Sequence, residues 1–294
     1  MYNCLNKMKI RLSKGFIFAF LAALTWAVSI IIAKVILQRG ETAYVLAFWT
    51  AILAVPYWIY TLLGKKTEIK KLTKKDYSIL FWIGIISTVG VGLTEALALR
   101  YSSAVNYSFL IRTVTLFTII FAYFFLGEKL TTKKIILATL LLIGAYLLTL
   151  KGEKLVLSSG DIFTLIEAIL IAFGNNVLGK MATNRMSTTI SAAGGILMGI
   201  IPLTIVSYFN HAIIIPQSFG LIILLTIIYV ILTKLRFLVY KNATVSFATM
   251  VYSFTPVFVS LMAIPLLGEG MTVTQIIGGV LIVIAGVSVE KLKI

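Results

Sequence analysis

The chain of 294 residues is 60% hydrophobic and only 12% charged, with a mean hydropathy of +1.04. A water-soluble domain is about one quarter charged, so a soluble globule is excluded and the outer surface must face lipid. The formal net charge of +16 does not argue for a nucleic-acid partner, because the lysines sit in short connectors between long apolar runs, where an anionic leaflet accounts for them.

Lys7, Lys9, Arg11 and Lys14 precede the first apolar stretch in the manner of a signal peptide. Gly15 to Leu37 is too long for the hydrophobic region of one, however, and lacks a small-residue cleavage site. It reads as the first membrane span behind a cytoplasmic segment at 1–14, with Met8 an alternative initiator. A helix needs roughly 20 apolar residues to cross a bilayer. Such runs occur at 15–37, 43–63, 78–99, 103–126 and 133–150, then at 161–181, 188–209, 218–240, 244–267 and 273–290. They predict an all-α integral membrane protein of ten transmembrane helices, with an external linker at 151–160 and a cytoplasmic tail at 291–294. The runs are continuous, whereas barrel strands would alternate over about ten residues.

With the N-terminus inside, the inner segments carry 18 Lys and Arg, and the outer ones carry only Arg39, Arg100, Lys151 and Lys154. The remaining four, Lys34, Arg112, Lys234 and Arg236, fall within spans. This asymmetry predicts that both termini are cytoplasmic.

The chain also repeats itself. Leu126-Gly127-Glu128 aligns with Leu267-Gly268-Glu269, and Thr131 then falls on Thr272. "YSSAV" at Tyr101 resembles "YKNATV" at Tyr240 at the cost of a small gap, "LLLIGAYLL" at Leu140 matches "VLIVIAGVSV" at Val280, and Lys34 of span one falls on Lys180 of span six. Each half (15–150 and 161–290) has an odd number of spans, so the second must insert upside down, a recurrent plan of secondary transporters. Glu128 and Glu269 are placed to bond the start of the next helix, whose N-terminus favours an anion. Gly127, Glu128, Gly268 and Glu269 thus read as a structural repeat motif.

Two inverted sets of five spans resemble the drug/metabolite transporter superfamily, EamA-like branch. So does the pattern Ala98-Leu99-x-Tyr101-x-Ser103-Ala104 leading to Leu126-Gly127-Glu128-x-Leu130-Thr131, with Trp26 in span one. The chain departs from that pattern at Thr115, which stands opposite Pro256 where the family commonly has proline, and at Trp26-Ala27 in place of Trp-Gly. The resemblance implies a transporter of small organic metabolites such as amino acids, exporting or exchanging them by alternating access in the cell membrane. It implies no cofactor, and a homodimer stays open.

Ionisable groups inside a span cost at least about 2.5–3.5 kcal/mol, so each needs a partner or a purpose. Arg112 in span four could grip a substrate carboxylate or phosphate with its planar fork, with Glu95 in span three and Glu167 in span six as proton-coupling sites. Alternatively, Glu95 and Arg112 form a salt bridge that only fixes packing. Gly84, Thr88, Gly92 and Glu95 share a helical face, as do Ser108, Arg112 and Thr115. Ser246, Thr249, Ser253, Pro256 and Ser260 line one side of span nine. These stripes suit a wet cavity or close helix contact. Asn175 and Asn176 could hydrogen-bond substrate, with packing the reading for at least one of them. Trp26, Tyr107 and Tyr252 could contact an organic substrate or simply pack. Pro56, Pro202 and Pro256 could kink their spans. Lys34, Lys180, Lys234 and Arg236, near the span ends, read as anchors that snorkel to the headgroups.

Cys4 is the single cysteine and His211 the single histidine, which leaves no cysteine-rich or hydrolytic metal site. No H-E-x-x-H, Walker loop or G-x-S-x-G occurs, so a membrane-embedded enzyme or an ATP-driven pump has no motif behind it. A translocator of lipophilic cations, drugs or lipids is the competing transport reading. Glu95 and Glu167 would suit it, and Arg112 would not.

Overall fold

The computed structural model describes residues 13–149, 158–267 and 272–291, and its regular secondary structure there is entirely helical. In chain order the long helices are α1 (Lys14–Gln38), α2 (Ala43–Leu63), α3 (Lys74–Tyr101), α4 (104–126), α5 (Thr132–Thr149), α6 (Ser159–Arg185), α7 (Thr188–Phe209), α8 (Phe219–Asn242), α9 (245–267) and α10 (Val273–Lys291). Eight helices among the described residues are long and apolar enough to cross a membrane. The chain is therefore a multi-pass membrane protein. Within α10, Ile276–Val289 forms a shorter apolar stretch.

The helix ends follow from local chemistry. Thr73 and Asp76 form a reciprocal capping box at the start of α3, and Ser158 with Asp161 does the same for α6. Each box satisfies two backbone N–H groups that the first turn leaves open. Gly127 closes α4 in the left-handed region at φ 68°, where a side chain would be strained. Glu128 does not bond the start of α5, as the motif suggested. Its carboxylate accepts from the Val245 N–H (2.8 Å), the Ser246 N–H (3.3 Å) and the Ser246 hydroxyl, so it caps α9 from the other half of the chain. Lys134 stands 3.7 Å away as its ion-pair partner. Gly268 and Glu269 lie outside the described residues.

The anchor reading of two lysines is corrected in the same way. The Lys34 ammonium donates to the Leu99 carbonyl (2.7 Å) and the Ser102 carbonyl (2.6 Å) at the end of α3. The Lys180 ammonium donates to the Tyr240 carbonyl and to the Ala243 carbonyl (2.9 Å) at the end of α8. Both cations sit where a helix C-terminus exposes unpaired carbonyls. Lys234 stays exposed, with its ammonium 5.2 Å from the centre of the Tyr57 ring.

These contacts also correct the register between the halves. α3 ends at an extended Ser102 and α8 at an extended Ala243. The next helices are capped by Ser103, whose hydroxyl accepts from Asn106 N–H (3.0 Å), and by Thr244, whose hydroxyl accepts from Phe247 N–H (3.2 Å). One constant offset relates Ser102 to Ala243, Ser103 to Thr244 and Gly127 to Gly268. No gap is needed, and Tyr101 and Tyr240 are not equivalent.

Helix pairings come in matched sets. α1 packs on α8 and α9, and α6 packs on α3 and α4. α2 meets α8, and α7 meets α3, while α2–α7, α4–α9 and α5–α10 pair across. α3 and α7 approach closely through glycine, since a Cβ on Gly199 would stand 2.5 Å from the Gly84 carbonyl oxygen. Pro56 and Pro202 lie inside continuous helices, whereas α9 is interrupted just before Pro256.

Candidate functional site

α1, α2 and α3 from the first half and α6, α7 and α8 from the second surround a cavity of about 170 Å³. Most of its wall is apolar, with Ala47, Ala51, Ala54, Ala96 and Ala192 among the lining residues. The polar groups include Thr50, Ser87, Thr88, Asn175, Tyr229, Thr233 and Tyr240, and an acid and a base, Glu95 and Arg236, also line it. A mostly apolar hollow with a few convergent polar groups has the make-up of a small-molecule site.

Glu95 comes from α3, and Arg236, Tyr229, Trp26 and Tyr107 from other helices are the polar side chains around it. Among the described residues its Oε1 accepts no hydrogen bond. Thr88, Gly92 and Glu95 share the cavity wall as their spacing predicted, but Gly84 turns to α7 instead. The cause is a π-helical stretch over Gly84–Val91, which changes the residues per turn and rotates what precedes it. A second such stretch, Ile171–Leu178 in α6, contains both asparagines, which as neighbours on a helix point different ways. Asn175 lines the cavity. Asn176 is buried in packing, donating to the Thr118 hydroxyl (2.8 Å) and accepting from the Tyr240 hydroxyl (2.8 Å).

Arg236 was expected to be an interfacial anchor, and this is corrected. α8 continues to Asn242, so Arg236 lies about 9 Å from its end at 1.5 Å per residue. Its guanidinium turns inward, 4.7 Å from the centre of the Trp26 ring. Arg112 also stacks on that ring, at 4.6 Å. Trp26, only 2% exposed, meets both cations and packs edge-on against Tyr252. Contacts of this kind are worth about 0.5–2 kcal/mol each.

Behind this ring lies a second, fully buried layer, to which most of the other expected site residues belong. Arg112 sits in a 3₁₀ turn of α4, Ile111–Thr113. It donates to the Tyr252 carbonyl (2.6 Å), and no ion pair joins it to Glu95 among the described residues. The acceptor is a consequence of Pro256, which has no N–H to offer the carbonyl four residues back. Thr115 does the same one turn earlier, its hydroxyl 3.3 Å from the Thr249 carbonyl, toward which the Ser253 hydroxyl also donates (3.4 Å). Ser108 is fully buried in the same helix. Ser246, Thr249, Ser253 and Ser260 are buried in the packing around α9 and do not line the cavity. Glu167, fully buried in α6, accepts from the Tyr107 hydroxyl at 2.9 Å, while its Oε2 has no partner among the described residues. Sequence reasoning thus missed Arg236 and Tyr229. The available signal was that Arg236 lies a full turn inside an apolar run.

A membrane-crossing helical bundle that holds a polar-studded cavity between its two halves has the architecture of a transport protein. Comparison with known proteins agrees. The profile of the EamA-like transporter family matches residues 13–150 and again 158–289. An "Uncharacterized transporter" of Clostridium kluyveri is 25% identical over 296 residues, covering 94% of this chain and 93% of that protein. One of Archaeoglobus fulgidus is 27% identical over 297 residues, covering 96% and 98%. A solved crystal structure superposes with a TM-score of 0.74 at 16% identity, covering 96% of this chain and 99% of that one, a likeness of fold. The chain belongs to the EamA-like transporter family, and with it to the drug/metabolite transporter superfamily.

Proposed function

We propose that this protein is a secondary transporter that exports or exchanges small organic metabolites, amino acids among them, by alternating access between two inverted repeats of five spans. The observation that carries the reading is the cavity itself, enclosed by corresponding helices of both halves and lined by an acid and a base. Substrate held at such an interface can be exposed to one side or the other as the halves rock.

Several features support ten crossings and the inversion. The family profile matches twice in tandem. The principal helix pairings are unchanged when each helix of one half is exchanged for its counterpart. Lys34 and Lys180 make the same contact in each half. With the basic connectors inside, both termini lie in the cytoplasm and the protein resides in the cell membrane. Trp26, Arg112, Glu167, Ser108, Thr115, Tyr252 and Ser253 form the supporting layer, and Glu95 with Asn175 meets the substrate.

Glu95 and Glu167 are the candidates for coupling transport to protons, since each is a buried carboxyl with an oxygen that no donor reaches among the described residues. The test is uptake into proteoliposomes of radiolabelled amino acids with and without an imposed proton gradient. Gradient-driven accumulation that is lost in Glu167→Gln, with exchange at equal pH retained, supports the reading. Accumulation indifferent to the gradient removes proton coupling, and no movement of any organic metabolite removes the transporter reading.

A further inference from the structure

The charges of the cavity are arranged more specifically than the proposed function requires. Glu95 lies one helical turn before Leu99, whose carbonyl takes the Lys34 ammonium, and Arg236 lies one turn before Tyr240, whose carbonyl takes the Lys180 ammonium. They therefore occupy equivalent positions in the two halves, and they carry opposite charges. Both line the same cavity, yet no ion pair joins them among the described residues. Nor does any described residue accept a hydrogen bond from Arg236, whose recorded contact is the face of Trp26. That stacking fixes the plane of the guanidinium and leaves its edge free to meet two oxygens at once.

An acid and a base that line one low-dielectric hollow without an ion pair between them are each costly until a ligand bridges and neutralises both. A ligand with one charge would satisfy one group and leave the other bare. We infer that the site takes a small zwitterion, its carboxylate on the Arg236 guanidinium and its ammonium on the Glu95 carboxylate, so that each half of the molecule reads one end of the substrate. Trp26 is a positioning residue for Arg236. Arg112, committed to the Tyr252 carbonyl, belongs to the scaffold. This inference rests on the cavity being the substrate site and adds the charge pattern that the substrate must carry.

The test uses the purified full chain in lipid nanodiscs and three probes, namely a mixture of the protein amino acids, the matching decarboxylated amines and the matching deaminated acids. Thermal stabilisation by the amino acids, and at least ten-fold weaker binding of the amines and acids, is expected from the loss of one charged contact. R236Q and E95Q should each abolish the amino-acid response. R236K and E95D should keep part of it and show that the site still folds. R112Q should lower the melting temperature of the empty protein and leave the preference among the three mixtures intact. No response to the amino acids overturns the inference, as does an equal response to the amines or acids, or loss of the preference in R112Q with its retention in R236Q. Stabilisation by the acids alone, unchanged in E95Q, would sink the zwitterion and leave a transporter of anions standing.

Discussion

At the scale of single residues, the buried polar groups are engaged mostly with backbone that helix chemistry leaves open. Glu128 is the clearest case, because its carboxylate serves two N–H groups and a hydroxyl at the start of α9. Glu128→Ala should cost about 1–3 kcal/mol, the range for leaving buried donors without an acceptor, and Glu128→Gln markedly less, as read by thermal unfolding in detergent. Equal stability of all three proteins would contradict the capping role. Close backbone approach gives a second contrast. A Cβ at Gly199 would lie 2.5 Å from both the Gly84 oxygen and the Thr88 Cβ, while one at Gly220 would meet nothing within 4 Å. Gly199→Ala is predicted to destabilise by about 1–3 kcal/mol, and Gly220→Ala to be neutral or stabilising by up to about 1 kcal/mol. What was legible in the sequence here was which residues are polar and buried. Which carbonyl or N–H each one serves was not, because those partners lie dozens of residues away or more, as with Lys34 and Leu99 or Glu128 and Val245.

At the scale of elements, the interruption of α9 and the arginine of α4 form one unit. Pro256 frees the Tyr252 carbonyl, and Arg112 fills that place. Arg112→Leu should therefore be strongly destabilising in the native background and less so, by about 1 kcal/mol, when Pro256→Ala restores an N–H to the helix. Unfolding of the wild type, the two single variants and the double variant closes the cycle, and simple additivity would sever the two residues. The limits of most helices were readable from apolar runs and caps, so that α2 and α7 begin and end where the sequence places them. The π-helical stretches of α3 and α6 were not readable, since no residue pattern forces them. The first turned Gly84 away from Glu95, whereas the parting of Asn175 from Asn176 was readable, since adjacent residues on a helix point different ways. Arg236 was misplaced for a related reason, as the end of α8 was taken two residues early and a long basic side chain near a span end is usually an anchor.

At the scale of the whole molecule, the repeat was visible in Leu-Gly-Glu and its surroundings, and the family match covers both copies. The cavity was not visible, because its wall comes from six helices and much of it is apolar residues that sequence alone assigns to packing. The proposed inverted arrangement predicts a definite topology. In a Cys4→Ser background, a cysteine at Lys70 should react with a membrane-impermeant maleimide only after the inner face is opened, and one at His211 should react from outside. Labelling of both from one side would contradict the inversion.

The central claim is that the cavity between the halves is the path of the substrate. The most direct measurement is amino-acid counterflow in proteoliposomes by the wild type and by Ala51→Trp, which places an indole in the cavity from the α2 wall. The account predicts exchange by the wild type and none by the variant at an unchanged melting temperature. Undiminished exchange by the folded variant would put the path elsewhere.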